Sequence, residues 1–270
     1  MGFMRELIKE CYADDYVGNN AIVNYIDLHK DITNTFKLLE DGKIPESYCK
    51  DIYEPNKIKG EKYRESLIPL TCRNIYTTRY GFPLISMNWV RELAHTVIKD
   101  GKCLEVMCGS GMWTKALRKC GVSVIATDNQ SWSTKIDEYS KWKNSPFIDD
   151  IEVIDAIDAI SKYGKDVDFI LMSWPPYDEP IAYMVLMKMR EINPNCKLIM
   201  IGEDYGGCTA DDKFFDEVKI TEDLANDVVQ LWKINGEVKI DKNGNVIDGE
   251  PDEGLFKSFW GIHDKLFIFK

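Results

Sequence analysis

The nine residues from Cys103 to Gly111, CLEVMCGSG, limit what this chain can fold into more than any other stretch. A short apolar run ends in Gly109-Ser110-Gly111, and Met112 to Cys120 then reads as helix. A strand that passes through a tight glycine turn into a helix aims free backbone N–H groups at a surface without side chains. Such a turn receives the phosphate or carboxylate end of a nucleotide-like cofactor.

The chain downstream alternates in the way this reading requires. Strands are expected at 103–107, 122–127, 151–154, 167–172 and 197–202, with helices at 112–120 and 179–192. Pro180 opens the second of these helices, where a missing N–H costs nothing. Five strands joined by crossover helices imply a mostly parallel sheet covered on both faces. Val228–Ile234 reads as a further strand, Lys242-Asn243-Gly244-Asn245 as a hairpin turn, and Asp264–Lys270 as a closing strand.

Upstream, residues 3–16 and 20–40 have helical spacing. Pro45, Pro55 and Pro69 suggest turns and irregular segments over 42–75. Ser86 is placed to cap an amphipathic helix whose inner face is Val90, Leu93, Ala94, Val97 and Ile98. His29 reads as a packed or interface side chain, and His95 as a solvent-side one.

Composition excludes several classes. With 45 Asp+Glu against 34 Lys+Arg the whole molecule should repel a polyanion. Lys50 to Tyr80 is locally basic, through Lys50, Lys57, Lys59, Lys62, Arg64, Arg73 and Arg79. Eight cysteines without a Cys-x-x-Cys pair, and three histidines, argue against both a disulfide framework and a zinc site. No run of 18 apolar residues occurs, and the first residues lack a signal-peptide core, so a soluble, cytoplasmic protein without membrane association is expected.

Candidate ligand-binding residues gather at the strand ends. Gly109 and Gly111 would let backbone approach a ligand that a Cβ would strike. Asp128, with Asn129 after it, closes the second strand 19 residues past Gly109, where a carboxylate can accept two ribose hydroxyls. Asp155, followed by Ala156, closes the third, within reach of an adenine amino group. The plainer alternative is that Asp128 and Asp155 cap the helices that follow.

Glu105 to Gly111, the Thr-Asp128 strand end, Asp155 and the turn Trp174 to Tyr177 together resemble the class I S-adenosylmethionine-dependent methyltransferases, over residues 76–270. That resemblance implies a doubly wound α/β fold: a mostly parallel seven-stranded sheet with an antiparallel last strand, here preceded by a helical extension over residues 1–75 for substrate recognition or dimerisation. It implies S-adenosyl-L-methionine as cofactor, with Glu105 near its methionine part, the loop Met107, Cys108, Gly109, Ser110 and Gly111 beneath it, Asp128 on ribose and Asp155 on adenine. The first glycine of the family's loop is replaced by Met107. If that position requires a positive φ, Met107 is strained, so either the loop differs locally or Met107 packs under the cofactor. A dehydrogenase is the rival use of this fold, but it wants a third glycine where Thr114 stands and no acid at Glu105.

Ser173-Trp174-Pro175-Pro176-Tyr177 resembles the Asn/Asp/Ser-Pro-Pro-aromatic turn of amino-group methyltransferases, in which a polar side chain and a proline carbonyl hold the target nitrogen while the aromatic ring packs on the substrate. Trp174 takes the polar position, so the carbonyls of Trp174, Pro175 and Pro176 would have to serve, with Ser173 turned toward the cofactor. A rigid turn with Trp174 as core packing is the alternative. Tyr76, Arg79, Tyr80 and Phe82 fall where the family has a lid, and Glu203, Asp204 and Tyr205 fall on the same rim. The acceptor implied is a nitrogen of a nucleobase or protein side chain. A small-molecule acceptor and an inactive binding fold stand as alternatives.

Overall fold

The computed structural model describes residues 2–12, 21–55, 67–131 and 146–270. Lys57, Lys59, Lys62 and Arg64 of the basic stretch lie outside them.

The central sheet has six strands among the described residues: β1 Lys102–Val106, β2 Ser123–Asp128, β3 Glu152–Val153, β4 Phe169–Ser173, β5 Lys197–Gly202 and β8 Lys265–Phe269. Their order is β3-β2-β1-β4-β5-β8, all parallel except β8, which runs antiparallel to β5. The sheet is doubly wound, and the strands show it residue by residue. Cys103, Leu171, Ile199 and Ile201 enter one core, while Leu104, Ile170, Leu198 and Met200 enter the other. Successive side chains of a strand point to opposite faces, so near-continuous apolar runs feed two cores at once.

The first face is covered by helices Met87–Leu93, Met112–Lys119 and Ala225–Asn235, and its core also takes in the amino-terminal helices. The second is covered by Ala156–Tyr163, Ile181–Ile192 and Asp212–Glu217. Because β1 is flanked by β2 on one side and β4 on the other, crossovers diverge there and leave a crevice at the carboxyl ends of the strands.

Several expectations need correction. The sheet has six strands rather than seven, because Val228–Ile234 belongs to the helix Ala225–Asn235. Its buried residues Val228, Leu231 and Ile234 recur every three positions, and Gly236 ends it in a left-handed conformation, φ 76°. The two short strands β6 Lys239–Ile240 and β7 Val246–Ile247 form a separate hairpin around the expected turn.

Beside the expected turns, the described part of 42–75 holds the helices Lys50–Tyr53 and Leu67–Arg79, the latter with Pro69 in its first turn, where proline is tolerated. That helix also runs across residue 75. The long helix expected at 20–40 is two, Ala21–Leu28 and Lys30–Glu40, because His29 leaves the helix and its ring accepts the Ile32 N–H. The other ring nitrogen of His29 meets Asp51 at 2.9 Å, whereas His95 is exposed as expected. Ser86 precedes its helix, but its hydroxyl bonds Asn88 rather than the helix backbone. No described helix is long and apolar enough to cross a membrane.

Candidate active site

A cavity of about 520 Å³ opens at the carboxyl ends of β1, β2 and β4. Its lining includes Glu105, Met107, Cys108, Gly109, Ser110, Asp128, Asn129, Asp155, Ser173, Trp174 and Pro176, which places most of the expected site residues around one space. Among the described residues, four of the lining side chains are carboxylic (Glu105, Asp128, Asp155 and Glu179), and none is Lys, Arg or His.

The glycine loop is built from internal hydrogen bonds. Asp128, buried at the end of β2, accepts the Gly109 N–H at 2.8 Å and the Gln130 N–H at 2.6 Å. Cys108 donates to the Thr127 carbonyl at 3.0 Å and Gly111 to the Cys108 carbonyl at 2.9 Å. Glu105 reaches under the first turn of the following helix, where it accepts the Thr114 N–H at 2.9 Å and the Thr114 hydroxyl. The N–H groups of Cys108, Gly109, Gly111 and Thr114 are therefore engaged within the protein, contrary to the expectation from the turn alone. Asp128 also lines the cavity.

Burial pushes Glu105 up to about 7 despite the two bonds from Thr114, with the neighbouring carboxylate of Asp128 adding to the rise.

Met107 has φ 54°, the positive φ that strains a side chain at the expected glycine position, and it lines the cavity. Gly109, φ 54°, lines the cavity with no atom within 4 Å of where a Cβ would project, an open surface as expected. Gly111 needs another explanation. A Cβ there would lie 2.6 Å from Ile148, so that glycine serves packing against the segment before β3 and does not line the cavity.

Asp155 both caps and lines: one oxygen accepts the Ile157 N–H at 2.9 Å at the start of helix Ala156–Tyr163, and the side chain faces the cavity. Ala156 is buried in the second core and is not on the cavity wall. Asn129 lines the cavity and bonds the Ser131 N–H at 3.0 Å.

The turn after β4 is pinned by backbone. Trp174 donates to the Ile201 carbonyl at 2.8 Å, Asp178 to the Ala210 carbonyl at 3.0 Å, and Ala210 to the Pro175 carbonyl at 3.2 Å. The residues so held are strained, with φ 49° at Trp174, 55° at Asp178 and 58° at Ala210. The Pro175 carbonyl, expected to be available to a substrate, is thus engaged, and buried Pro175 is off the cavity wall. Tyr177 is 65% exposed and outside the cavity as well. The aromatic surface facing the cavity is instead Trp174 stacked on Phe82, ring centroids 5.0 Å apart and 16° between planes.

Phe82 belongs to a strap, Tyr80 to Ile85, that closes one side. Ser110 ties the loop to it by donating its hydroxyl to the Tyr80 carbonyl. Tyr76 and Arg79 stand behind the strap. Tyr76 donates to the Pro83 carbonyl at 3.0 Å, and Arg79 makes a two-pronged contact with Glu40 at 2.9 and 2.7 Å and a further one with Glu10. The amino-terminal helices thereby hold the strap.

Sequence reasoning missed Asp264. Its side chain is 5% exposed, and neither oxygen has a hydrogen-bond partner. It precedes β8, and an antiparallel strand begins at the edge where parallel strands end; that direction argument was available from the sequence. Glu203, on the rim as expected, accepts the N–H groups of Cys208 at 2.8 Å and His263 at 2.9 Å. Burial alone would raise its carboxyl, yet those bonds hold it below the usual range.

No protein-family model matches the chain, and no curated protein sequence does. Solved structures share distant likeness with it. TehB from Haemophilus influenzae aligns at 15% identity and TM-score 0.37 over 73% of this chain and 66% of its own. A SAM-dependent methyltransferase from Agrobacterium tumefaciens aligns at 15% identity and TM-score 0.31 over 44% of each chain. One from Bacteroides fragilis, solved with S-adenosyl-L-homocysteine, aligns at 20% identity and TM-score 0.28 over 43% of this chain and 47% of its own. The chain spans about half the length of these two methyltransferases. Likeness at this distance carries no argument about activity, which rests on the site itself.

Proposed function

We propose that the chain is an S-adenosyl-L-methionine-dependent methyltransferase acting on a nitrogen acceptor. The observation that carries this reading is the charge of the described cavity wall: four carboxylic side chains, and no cationic one among the described residues, at the switch point of the sheet. A dinucleotide would bring its pyrophosphate against a loop whose Gly109, Gly111 and Thr114 N–H groups are already engaged. S-adenosylmethionine instead brings a sulfonium, an ammonium and a ribose diol, groups that carboxylates receive. A volume of about 520 Å³ lies in the range of small-molecule sites.

In this reading Asp128 holds ribose, Asp155 takes the adenine amino group with the oxygen that does not cap, and Glu105 sets the helix start beside the methionine part. The cofactor supplies an electrophilic methyl group. The protein supplies position: methyl transfer to nitrogen needs an aligned lone pair more than a strong acid or base. Ser173 and the strained Trp174 turn supply that alignment, and the Phe82–Trp174 stack walls the acceptor side.

The amino-terminal helices bury Met4, Ile8, Ile26 and Phe36 against the domain and clamp the strap through Arg79, which supports a role in shaping the acceptor side rather than in dimer contact. Among the described residues, Lys50 and Arg79 of the basic stretch are paired with carboxylates, which favours a protein or small-molecule amine over long nucleic acid.

Calorimetric titration tests the reading. S-adenosylhomocysteine is expected to bind and NAD not to, and label from methyl-labelled cofactor is expected in one pool among proteins, RNA, DNA and small molecules. Binding of NAD without S-adenosylhomocysteine would overturn it.

A further inference from the structure

A second cavity of about 290 Å³ lies near the carboxyl edge of the sheet, with Asp264, His263, Lys265, Lys257 and Glu54 among its lining residues. The cations in that lining have partners of their own: Lys257 meets Glu253 at 2.7 Å, and Lys265 pairs with Glu237. Glu54 faces Lys50 at 3.9 Å. Asp264 is different. Its carboxyl is buried with both oxygens unpartnered, and only its backbone N–H is engaged, by Ser258 at 3.2 Å.

On its other side lies the indole of Trp174, whose Nε1 is likewise buried without a hydrogen-bond partner; the N–H interacts with the carboxyl but does not reach hydrogen-bond geometry. Trp174 lines the larger cavity and Asp264 the smaller one, so this pair is the partition between them. A buried carboxyl without a partner costs a chain several kcal/mol, and native structures rarely retain one without a use.

We infer that the smaller cavity admits the methyl acceptor and that Asp264 is its anchor, receiving an ammonium group of a small cationic amine beside the Trp174 turn. This rests on the methyltransferase reading for the word acceptor, but the amine site stands on Asp264 alone.

The surroundings favour a cation over a neutral donor or an anion. Burial pushes Asp264 up to about 7 and the Glu203 carboxylate adds to the rise, while the Trp174 N–H and Arg73 oppose it. An entering ammonium would pay back the desolvation that burial imposes and stabilise the charged form. Asp264 is a positioning residue here, and no proton or group transfer is assigned to it.

The probes are n-butylamine and 1,4-diaminobutane, with n-butanol and butyrate as controls, titrated at pH 8 into wild type and Asp264→Asn with and without S-adenosylhomocysteine. The amines are expected to bind wild type and to lose at least tenfold in affinity in Asp264→Asn, while S-adenosylhomocysteine binds both alike. Indole fluorescence gives a second readout. Wild type should show a transition near pH 7, lost in Asp264→Asn and Trp174→Phe, and saturating amine should move it to lower pH because a cation favours the carboxylate.

Equal amine affinity in wild type and variant, butanol binding as tightly as butylamine, no amine binding, or a transition that amine does not move would each overturn the inference. A chain that binds S-adenosylhomocysteine but no amine loses only this inference. One that binds amine through Asp264 but no S-adenosylhomocysteine keeps the site and loses the methyltransferase reading.

Discussion

The loop after β1 and the turn after β4 occupy equivalent places at the rim of one cavity, and each contains a non-glycine residue with positive φ, Met107 at 54° and Trp174 at 49°. They differ in what their polar groups do. Around the loop, Asp128 and Glu105 spend lone pairs on backbone N–H groups, and Ser110 is tied to the strap. Around the turn, the backbone is pinned at Ile201 and Ala210, but the Trp174 indole N–H and both Asp264 oxygens are left buried and unpaired. On the function proposed above, the loop is the cofactor half, with its carboxylates fixed before any ligand arrives. The turn is then the acceptor half, whose unpaired buried groups a ligand can relieve.

If the loop is preorganised in this way, Asp128→Ala should give the largest effect. It removes ligand acceptors and two loop bonds together, so S-adenosylhomocysteine affinity should fall by roughly 100-fold, about 3 kcal/mol, in a calorimetric titration. An unchanged affinity would mean that the loop does not depend on Asp128 and would dissolve the contrast.

The pH dependence of stability sharpens it next. Glu105 and Asp264 have folded pKa values of about 7, raised above ordinary carboxyl values by burial. Between their unfolded values near 4 and the folded values near 7, the native state holds protons that the unfolded chain has released. Each group therefore contributes stability that is full below pH 4 and is lost as pH rises to 7, by up to about 4 kcal/mol per group. This runs opposite to the usual carboxylate trend. Urea midpoints measured from pH 4 to 8 should fall less steeply in Glu105→Gln and in Asp264→Asn, and added amine should flatten only the Asp264 component. A pH dependence in either variant identical to that of wild type would refute the assignment for that residue.

A smaller effect separates the turn from its exposed neighbour. Tyr177 is 65% exposed and off the cavity wall, so Tyr177→Ala should change stability by about 0.5 kcal/mol or less and leave S-adenosylhomocysteine affinity as it was. The Phe82→Ala variant removes the stack on Trp174 and should cost about 1 kcal/mol beyond the loss of apolar area. Equal effects from the two would undo the placement of the aromatic wall.

These contrasts also mark what the sequence could disclose. The parallel strands were legible because apolar runs five or six residues long, each ending in Asp, Ser or Gly, have no other good use in an α/β chain. The strand ends then gave most of the cavity wall, from Glu105 to Trp174. What stayed hidden depended on partners distant in sequence. The spacing of Gly111 said glycine but not that Ile148 was the reason, and the proline turn said carbonyl acceptor but not that Ala210 takes the Pro175 carbonyl. Val228–Ile234 has strand composition, yet it sits between a polar helix start and Gly236 and buries every third residue, so tertiary burial decided in favour of helix. Asp264 was visible only to someone who asked which edge an antiparallel last strand begins from.

The smallest predicted effect isolates backbone strain from side-chain contact at Met107. Its side chain packs against the second core and lines the cavity, so both Met107→Ala and Met107→Gly lose the same contacts. In an ordinary helix or strand the glycine variant would be the less stable of the two by about 0.5–1 kcal/mol, because glycine loses more freedom on folding. At φ 54° alanine keeps a left-handed penalty of about 1 kcal/mol that glycine escapes. The order should therefore level or reverse, with Met107→Gly at least as stable as Met107→Ala in urea unfolding. An alanine variant clearly more stable than the glycine one would mean that Met107 relaxes out of the left-handed region once its side chain is cut. The loop would then be as adjustable as the turn, and the distinction between a finished cofactor half and a waiting acceptor half would fail at its first residue.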